Sequence, residues 1–108
     1  MAQLEVRIAA PSTARKGEVI EIKTLAFHAM EHGFRLDSDG NAIPRKIINT
    51  FLCKYNGEVI FTADLHPAMA ANPYLVFYAV AKESGTLEFA WLEDGGDVFV
   101  ANQSITVT

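Results

Sequence analysis

Hydrophobic and polar residues alternate along most of this chain with a period of two, the period at which successive side chains of a β-strand point to opposite faces. In the segment Gln3 to Ala9, for example, Leu4, Val6 and Ile8 share one face. The spacing of an amphipathic helix is nearly absent. The pattern predicts seven strands, at residues 3–9, 18–27, 47–55, 58–65, 74–80, 86–93 and 98–107.

Turn residues separate these strands. Asn56-Gly57 predicts a type I′ hairpin turn, because that turn needs a positive φ at both central positions. The Asp94-Gly95-Gly96-Asp97 segment predicts a second hairpin. Between the two hairpins, Tyr74 to Val80 is a nearly continuous apolar run, which predicts a strand that is covered on both faces.

Short strands at about ten-residue spacing, with turns between them, are typical of two packed antiparallel sheets. We therefore predict an all-β fold, an immunoglobulin-like antiparallel β-sandwich of about seven strands that forms one domain over residues 1–108. Trp91 is the expected central aromatic residue of its core. An open barrel is the alternative architecture.

The segment from His28 to Arg45 interrupts the strand pattern and is too long for an ordinary sandwich connection. Long loops in compact domains are usually functional or disordered. This loop contains Met30, Phe34, Leu36 and Ile43, so simple disorder is not expected. We predict that these apolar residues fold back on the sandwich or contact a partner.

Composition limits the function classes. The 108 residues carry a formal net charge of −4, and half of them are hydrophobic. The nine basic residues are scattered, which argues against a nucleic-acid-binding surface. No run approaches the roughly 20 apolar residues of a membrane helix. Residues 1–10 lack the basic and apolar blocks of a signal peptide, so we expect any export to depend on another protein's signal.

Candidate reactive residues are few. The single cysteine, Cys53, excludes an internal disulfide, and its place in a strand predicts a small buried apolar residue rather than a nucleophile. His28, His32 and His66 with Glu31 suggest a metal site, but a histidine that anchors the loop by hydrogen bonds is favoured.

Residues 37–41 resemble a calcium loop that lacks its glutamate, because Lys46 stands at that position; a polar turn is favoured. No motif of an enzyme active site is evident, which favours a binding module.

The long loop carries a family resemblance. Residues 28–35, His-Ala-Met-Glu-His-Gly-Phe-Arg, resemble the His-Pro-Met-Glu-x-Gly segment of the SoxZ family, with Ala29 in place of the usual proline. Further similar segments follow in order along the chain. They are Gly40-Asn41-Ala42-Ile43-Pro44, Ile47-Ile48, Tyr55-Asn56-Gly57-Glu58-Val59, Asn72-Pro73-Tyr74 and the terminal Trp91 with its glycine turn.

This resemblance implies a non-catalytic Z subunit of the SoxYZ carrier complex of bacterial thiosulfate oxidation, with no cofactor and no metal. In that family the Z subunit binds a SoxY-like subunit as a heterodimer. The Y subunit carries sulfur intermediates on the cysteine of a carboxy-terminal Gly-Gly-Cys-Gly-Gly arm. Other Sox enzymes would be transient partners, and the isolated chain is a possible homo-oligomer. The implied location is the periplasm, by co-export with the signal-bearing Y subunit.

We predict that the partner contacts the long loop and the corner before the fifth predicted strand. The candidate residues are His28, Met30, Glu31, Phe34, Ile43, Pro44, Asn72, Pro73 and Tyr74. The competing interpretation is that these residues pack the loop against its own sandwich. Two alternatives to the SoxZ function remain open at this point: a stand-alone immunoglobulin-like binding module, and a small metal-binding redox protein.

Overall fold

The fold is described by a computed structural model, which covers residues 3–108. Met1 and Ala2, at the start of the predicted domain and of the amino-terminal segment, lie outside the described residues. Residues 3–108 contain eight strands. They are β1 (Glu5–Ala9), β2 (Thr13–Ala14), β3 (Val19–Phe27), β4 (Ile48–Tyr55), β5 (Glu58–Asp64), β6 (Tyr74–Val80), β7 (Gly85–Glu93) and β8 (Val98–Val107).

The strands form two sheets, one in the order β1-β3-β6 and one in the order β2-β8-β7-β4-β5. The prediction of an all-β, immunoglobulin-like sandwich is confirmed. The additional strand, β2, lies in a segment predicted as a loop and pairs in parallel with β8. Two residues are too short to show a period-two pattern, so only the backbone bonds reveal β2: Thr106 N donates to Ser12 O, and Thr108 N donates to Ala14 O.

The core lies between the sheets and is rich in aromatic rings. Phe51 of β4 is fully buried, and its ring centroid lies 5.2 Å from that of Trp91 and 5.8 Å from that of Phe77. Phe77 and Phe61 stack at 4.3 Å between centroids, which joins β6 to β5 across the core. Trp91 is 1 % exposed, so its predicted place in the core is confirmed.

The predicted turn between β4 and β5 is confirmed. Asn56 and Gly57 have φ values of 50° and 83°, and Tyr55 pairs with Glu58. The Asn56 side chain also accepts a hydrogen bond from Thr86 N at 2.9 Å. A Cβ at position 85 would lie 1.8 Å from Asn56 Oδ1, so this close approach requires glycine there.

Strand β6 differs from its prediction. Its inward residues Leu75, Phe77 and Ala79 pack on the core, but the alternate residues are exposed, so the expectation that both faces are covered is wrong. The physical reason is its position: β6 is the edge strand of the smaller sheet, and among residues 3–108 no layer covers the outer face of that sheet. The exposed residues are Tyr74, Val76, Tyr78 and Val80.

Candidate functional site

Three connections meet at one end of the sandwich and bring the predicted partner-binding residues together. The long loop leaves β3 of the smaller sheet after Phe27 and enters β4 of the larger sheet at Ile48. The Asn72-Pro73 corner lies beside this loop, because Asn72 N donates to His28 O. The β7–β8 turn also lies beside the loop, because Arg45 donates to Asp94. The loop therefore crosses between the sheets, and its anchors determine which of its side chains remain exposed.

His28 is the first anchor of the loop. Its backbone N–H donates to Asn72 Oδ1 at 2.9 Å, and its carbonyl oxygen accepts from Asn72 N at 2.8 Å. Its ring Nδ1 accepts from Met30 N at 2.9 Å. The proton therefore belongs on Nε2, which lies 2.5 Å from Oε2 of the buried Glu93. This is the loop-anchoring histidine favoured from the sequence.

Met30 is the second anchor. It has a left-handed φ of 53°, which costs free energy for a residue with a Cβ, and its side chain is only 3 % exposed. The backbone N–H of Ile48 lies 3.4 Å from its sulfur. Burial of a large apolar side chain offsets the strain. Of the two interpretations of Met30, contact with its own core is the one observed.

Asp94, in the β7–β8 turn, holds the end of the long loop. Its carboxylate accepts two hydrogen bonds from Arg45, at 2.8 and 2.9 Å, one from Ile47 N at 3.1 Å and one from Asn49 Nδ2 at 3.1 Å. The Arg45 guanidinium is the main reason that the pKa of Asp94 falls to about 2. Sequence reasoning placed Asp94 in a hairpin turn and missed this role, because its partners lie more than forty residues away in the chain.

We expect Asp94 to make stability depend on acid pH. Its pKa in the folded chain, about 2, is below its ordinary value of 3.8, so it contributes stability that is present above about pH 4 and lost as pH falls towards 2. After allowance for solvent screening the contribution is about 1–2 kcal/mol. Urea unfolding at pH 6 and at about pH 2 should therefore show a smaller acid loss for Asp94→Asn than for the wild type.

The control for this measurement is Asp97→Asn, in the exposed part of the same turn. It is expected to keep the acid loss of the wild type. An Asp94→Asn protein with the full wild-type acid loss would show that Asp94 is not responsible.

The far part of the loop projects away from these anchors. Leu36 bridges to Ala42, and Asp37 Oδ1 accepts from Asp39 N and Asn41 N at 2.9 and 3.0 Å. The calcium-like segment is thus the tight polar turn favoured from the sequence. Phe34, 81 % exposed, stacks on His32, with centroids 5.4 Å apart. Phe34 and Leu36 do not fold back on the sandwich, since both are exposed, and for these two residues contact with a partner stays a prediction.

The nine predicted partner-binding residues therefore divide into two groups. Met30 and Pro73 are buried, and His28, Glu31 and Ile43 are half-buried, so much of their surface already contacts the chain itself. Four are exposed. They are Phe34, Pro44, Asn72 and Tyr74. Partner binding at all nine positions stays a prediction.

The two remaining candidates from the sequence are a metal site and Cys53. Within residues 3–108 no group of three or more His, Cys, Asp or Glu side chains lies close enough to hold a metal ion. Cys53 is fully buried in β4, and burial raises the pKa of its thiol to about 12, so it stays protonated at neutral pH. This is the apolar role predicted for Cys53. The part of the chain described here has no helix of the length and apolarity that crossing a membrane requires.

Comparison with known proteins adds a family and several similar structures. The family model of the sulphur oxidation protein SoxZ matches residues 6–104. The comparison with curated proteins returned no significant match.

Among solved structures, the superoxide reductase (neelaredoxin) from Ignicoccus hospitalis is 16 % identical, with a TM-score of 0.73 over 95 % of this chain and 80 % of that chain. The sulfur carrier protein SoxY from Chlorobium limicola f thiosulfatophilum is 14 % identical, with a TM-score of 0.66 over 95 % and 78 %. At these identities the structures show a shared fold.

Proposed function

Because this chain belongs to the SoxZ family of sulphur oxidation proteins, we propose that it is the non-catalytic half of a SoxYZ-type carrier complex. In this role it binds a SoxY-like subunit as a heterodimer and presents that subunit to the enzymes of thiosulfate oxidation. The sulfur intermediates are held on the carboxy-terminal cysteine of the Y subunit. The observation that carries the proposal is the family match over nearly the whole chain.

The environment of the cysteine in this chain supports a non-carrying role. A sulfur carrier needs an accessible thiolate, because the thiolate is the nucleophile. Cys53 lies between Phe61 and Phe89 in the strand register, is fully buried and has a strongly raised pKa. Sulfur transfer by this side chain would require the core to open. A carrier cysteine on a partner subunit is consistent with this arrangement.

Two expectations from the family complete the proposal. The complex is located in the periplasm, and this chain is exported with its signal-bearing Y subunit. If the periplasmic fraction of this chain were the same with and without the Y subunit, co-export would be wrong, while binding of the Y subunit would remain to be judged by the next experiment.

The proposed function is tested by co-expression with a SoxY-type subunit that ends in Gly-Gly-Cys-Gly-Gly. We expect a stable one-to-one complex, and mass spectrometry after incubation with the sulfur-oxidising enzymes should find sulfur adducts on the Y cysteine. Cys53→Ala in this chain is expected to leave the adducts unchanged. The proposal would be overturned if the co-expressed Y subunit did not co-purify with this chain. It would also be overturned if Cys53→Ala abolished the adducts while the complex persisted.

A further inference from the structure

The outer face of the smaller sheet carries a group of large, exposed apolar side chains. Large apolar side chains follow one another along β6 and continue onto β3, where Val19 pairs with Val80 and Leu25 pairs with Tyr74. The exposed members include Tyr78 at 62 % and Val19 at 63 %. Scattered exposed apolar residues need no explanation, but a continuous patch marks an interaction site. We call this patch the β6 face. It consists of Val19, Phe27, Tyr74, Val76, Tyr78 and Val80.

The charged side chains that β3 places on this face, Glu21 and Lys23, are paired with each other. Lys23 Nζ lies 3.3 Å from Glu21 Oε1, and the Tyr78 hydroxyl donates to Glu21 Oε2 at 3.1 Å. The Arg7 guanidinium lies over the Phe27 ring, 5.6 Å from its centroid. The part of the face that β6 forms has no charged side chain, so its complement is an apolar surface.

The edge of the same strand is also unprotected. Natural proteins protect sheet edges with charged residues or very short strands. Edge strand β1 carries Glu5 and Arg7, β5 carries Glu58 and Asp64, and β2 has two residues, whereas β6 has the sequence YLVFYAV with no charge. A seven-residue uncharged edge is a site for pairing with another strand.

The hydrogen bonds identify which backbone groups this edge presents. Ala26 N donates to Pro73 O at 3.1 Å, and Ala81 N donates to Glu18 O at 2.8 Å. Since the direction of the backbone groups alternates along a strand, the odd-numbered residues of β6 direct theirs towards β3. The free edge presents the backbone groups of Tyr74, Val76, Tyr78 and Val80, whose side chains form most of the β6 face.

A cleft next to this edge adds contact area. It has a volume of about 330 Å³ and lies between β5 and β6, with Tyr55, Ile60, Tyr78, Ala79 and Val80 in its lining. A standard stable interface buries about 800 Å² on each partner, and the exposed side chains of the β6 face supply part of that area. Val19, Tyr78 and Val80 belong to the β6 face and also line this cleft, so the face, the strand edge and the cleft form one contact region for a single partner.

We propose that the SoxY-like subunit binds at β6. One strand of the SoxY-like subunit pairs with the free edge of β6, and apolar side chains of the same subunit cover the β6 face. This inference rests on the proposed function, which supplies a permanent partner for the chain. SoxY of Chlorobium limicola f thiosulfatophilum shares the sandwich fold, and a subunit of that fold has sheet edges to offer. Of the nine candidate residues from the sequence, Tyr74 alone belongs to this surface.

The edge is tested by Val76→Pro. Proline is tolerated in an edge strand where the N–H points to solvent, so the fold should persist, while its ring removes the donor and blocks a pairing strand. We expect affinity for the purified SoxY-type subunit, measured by calorimetry, to fall by about 30-fold or more. Val76→Thr keeps the N–H and the branched side chain, and should bind within a few-fold of the wild type.

The face is tested by the double variant Val76→Lys/Tyr78→Lys. Its matched control is Val98→Lys/Val100→Lys, which places two lysines at similarly exposed positions of β8 in the other sheet, each 56 % exposed in the wild type. The first variant should lose about 30-fold or more in affinity and the second should bind like the wild type. Circular dichroism and thermal unfolding of the free chains show whether each variant is folded.

Amide hydrogen exchange of the wild-type complex provides a measurement that needs no variant. The amides of Val76 and Tyr78 should exchange more slowly in the complex than in the free chain, because the partner strand accepts their hydrogen bonds. Unchanged exchange there, or folded β6 variants that bind the Y subunit normally, would overturn this inference and leave the proposed function intact. So would β6 variants that break a homodimer of the free chain without weakening Y binding. A wild-type chain that does not bind the Y subunit would instead overturn the proposed function.

Discussion

Phe51→Ala is expected to lower the free energy of unfolding by about 3–5 kcal/mol, the range for truncating a buried aromatic residue. Phe51 is fully buried, and its ring contacts those of Phe61, Phe77 and Trp91, with centroids 5.2 to 6.1 Å apart. These partners lie on three other strands of both sheets. Removal of the ring therefore leaves a cavity at the junction of the two layers, where rigid strands limit collapse.

Urea unfolding followed by the fluorescence of Trp91 measures this loss, and Phe34→Ala is the matched control. The same truncation at an 81 % exposed phenylalanine should change the free energy of unfolding by less than about 0.5 kcal/mol. A loss at Phe51 no larger than that at Phe34 would contradict the described core.

His28→Ala is the second substitution with a large expected effect, a loss of about 2–4 kcal/mol in the free energy of unfolding. It leaves the Glu93 carboxylate, 6 % exposed, without its hydrogen-bond partner at 2.5 Å. The other ion-pair partner of Glu93 is Lys46, whose Nζ lies 3.7 Å from Glu93 Oε1. A buried carboxylate that loses its partner bears a large desolvation cost. The substitution also removes the acceptor of the Met30 N–H, while the backbone hydrogen bonds of residue 28 with Asn72 remain.

A double-mutant cycle with Glu93→Ala separates the pair from its surroundings. We expect the double variant to lose about 1–3 kcal/mol less than the sum of the single variants, because each single variant already breaks the same contact. His32→Ala is the control in the same loop, where the ring accepts one hydrogen bond, from Phe34 N. Additive losses at His28 and Glu93 would show that the two side chains are not coupled.

The β4–β5 hairpin and β6 show where sequence reasoning succeeds and where it fails. The hairpin was predictable because Asn56 and Gly57 satisfy a local backbone requirement that no distant residue can change. The exposure of β6 was not predictable, because an apolar run occurs both in a strand that is covered on both faces and in a strand of a sheet that is covered on one face. The arrangement of the strands in the two sheets decides between them, and for β6 it depends on pairing with β3, about 50 to 60 residues earlier in the chain.

The candidate site divides in the same way. The sequence identified the long loop and a histidine that anchors it, from the break in the strand pattern. It did not identify the hydrogen bonds of Asp94 with Arg45 and Asn49, since no local motif links residues so far apart in the chain. The one sequence signal near Glu93 was the similarity of Trp91 and its glycine turn to the SoxZ family, and the buried contact of Glu93 with His28 became visible only in the fold.

By itself the sequence determined the β-sandwich class, nearly all strand positions, the two hairpin turns and the SoxZ family. These follow from period-two patterning, from backbone preferences of glycine and asparagine, and from motif order, all of which act over a few residues. The tertiary structure alone decided which apolar residues became core, which anchors hold the long loop and which strands lie at the sheet edges. Those outcomes depend on contacts between residues distant in the chain, and only packing brings such residues together.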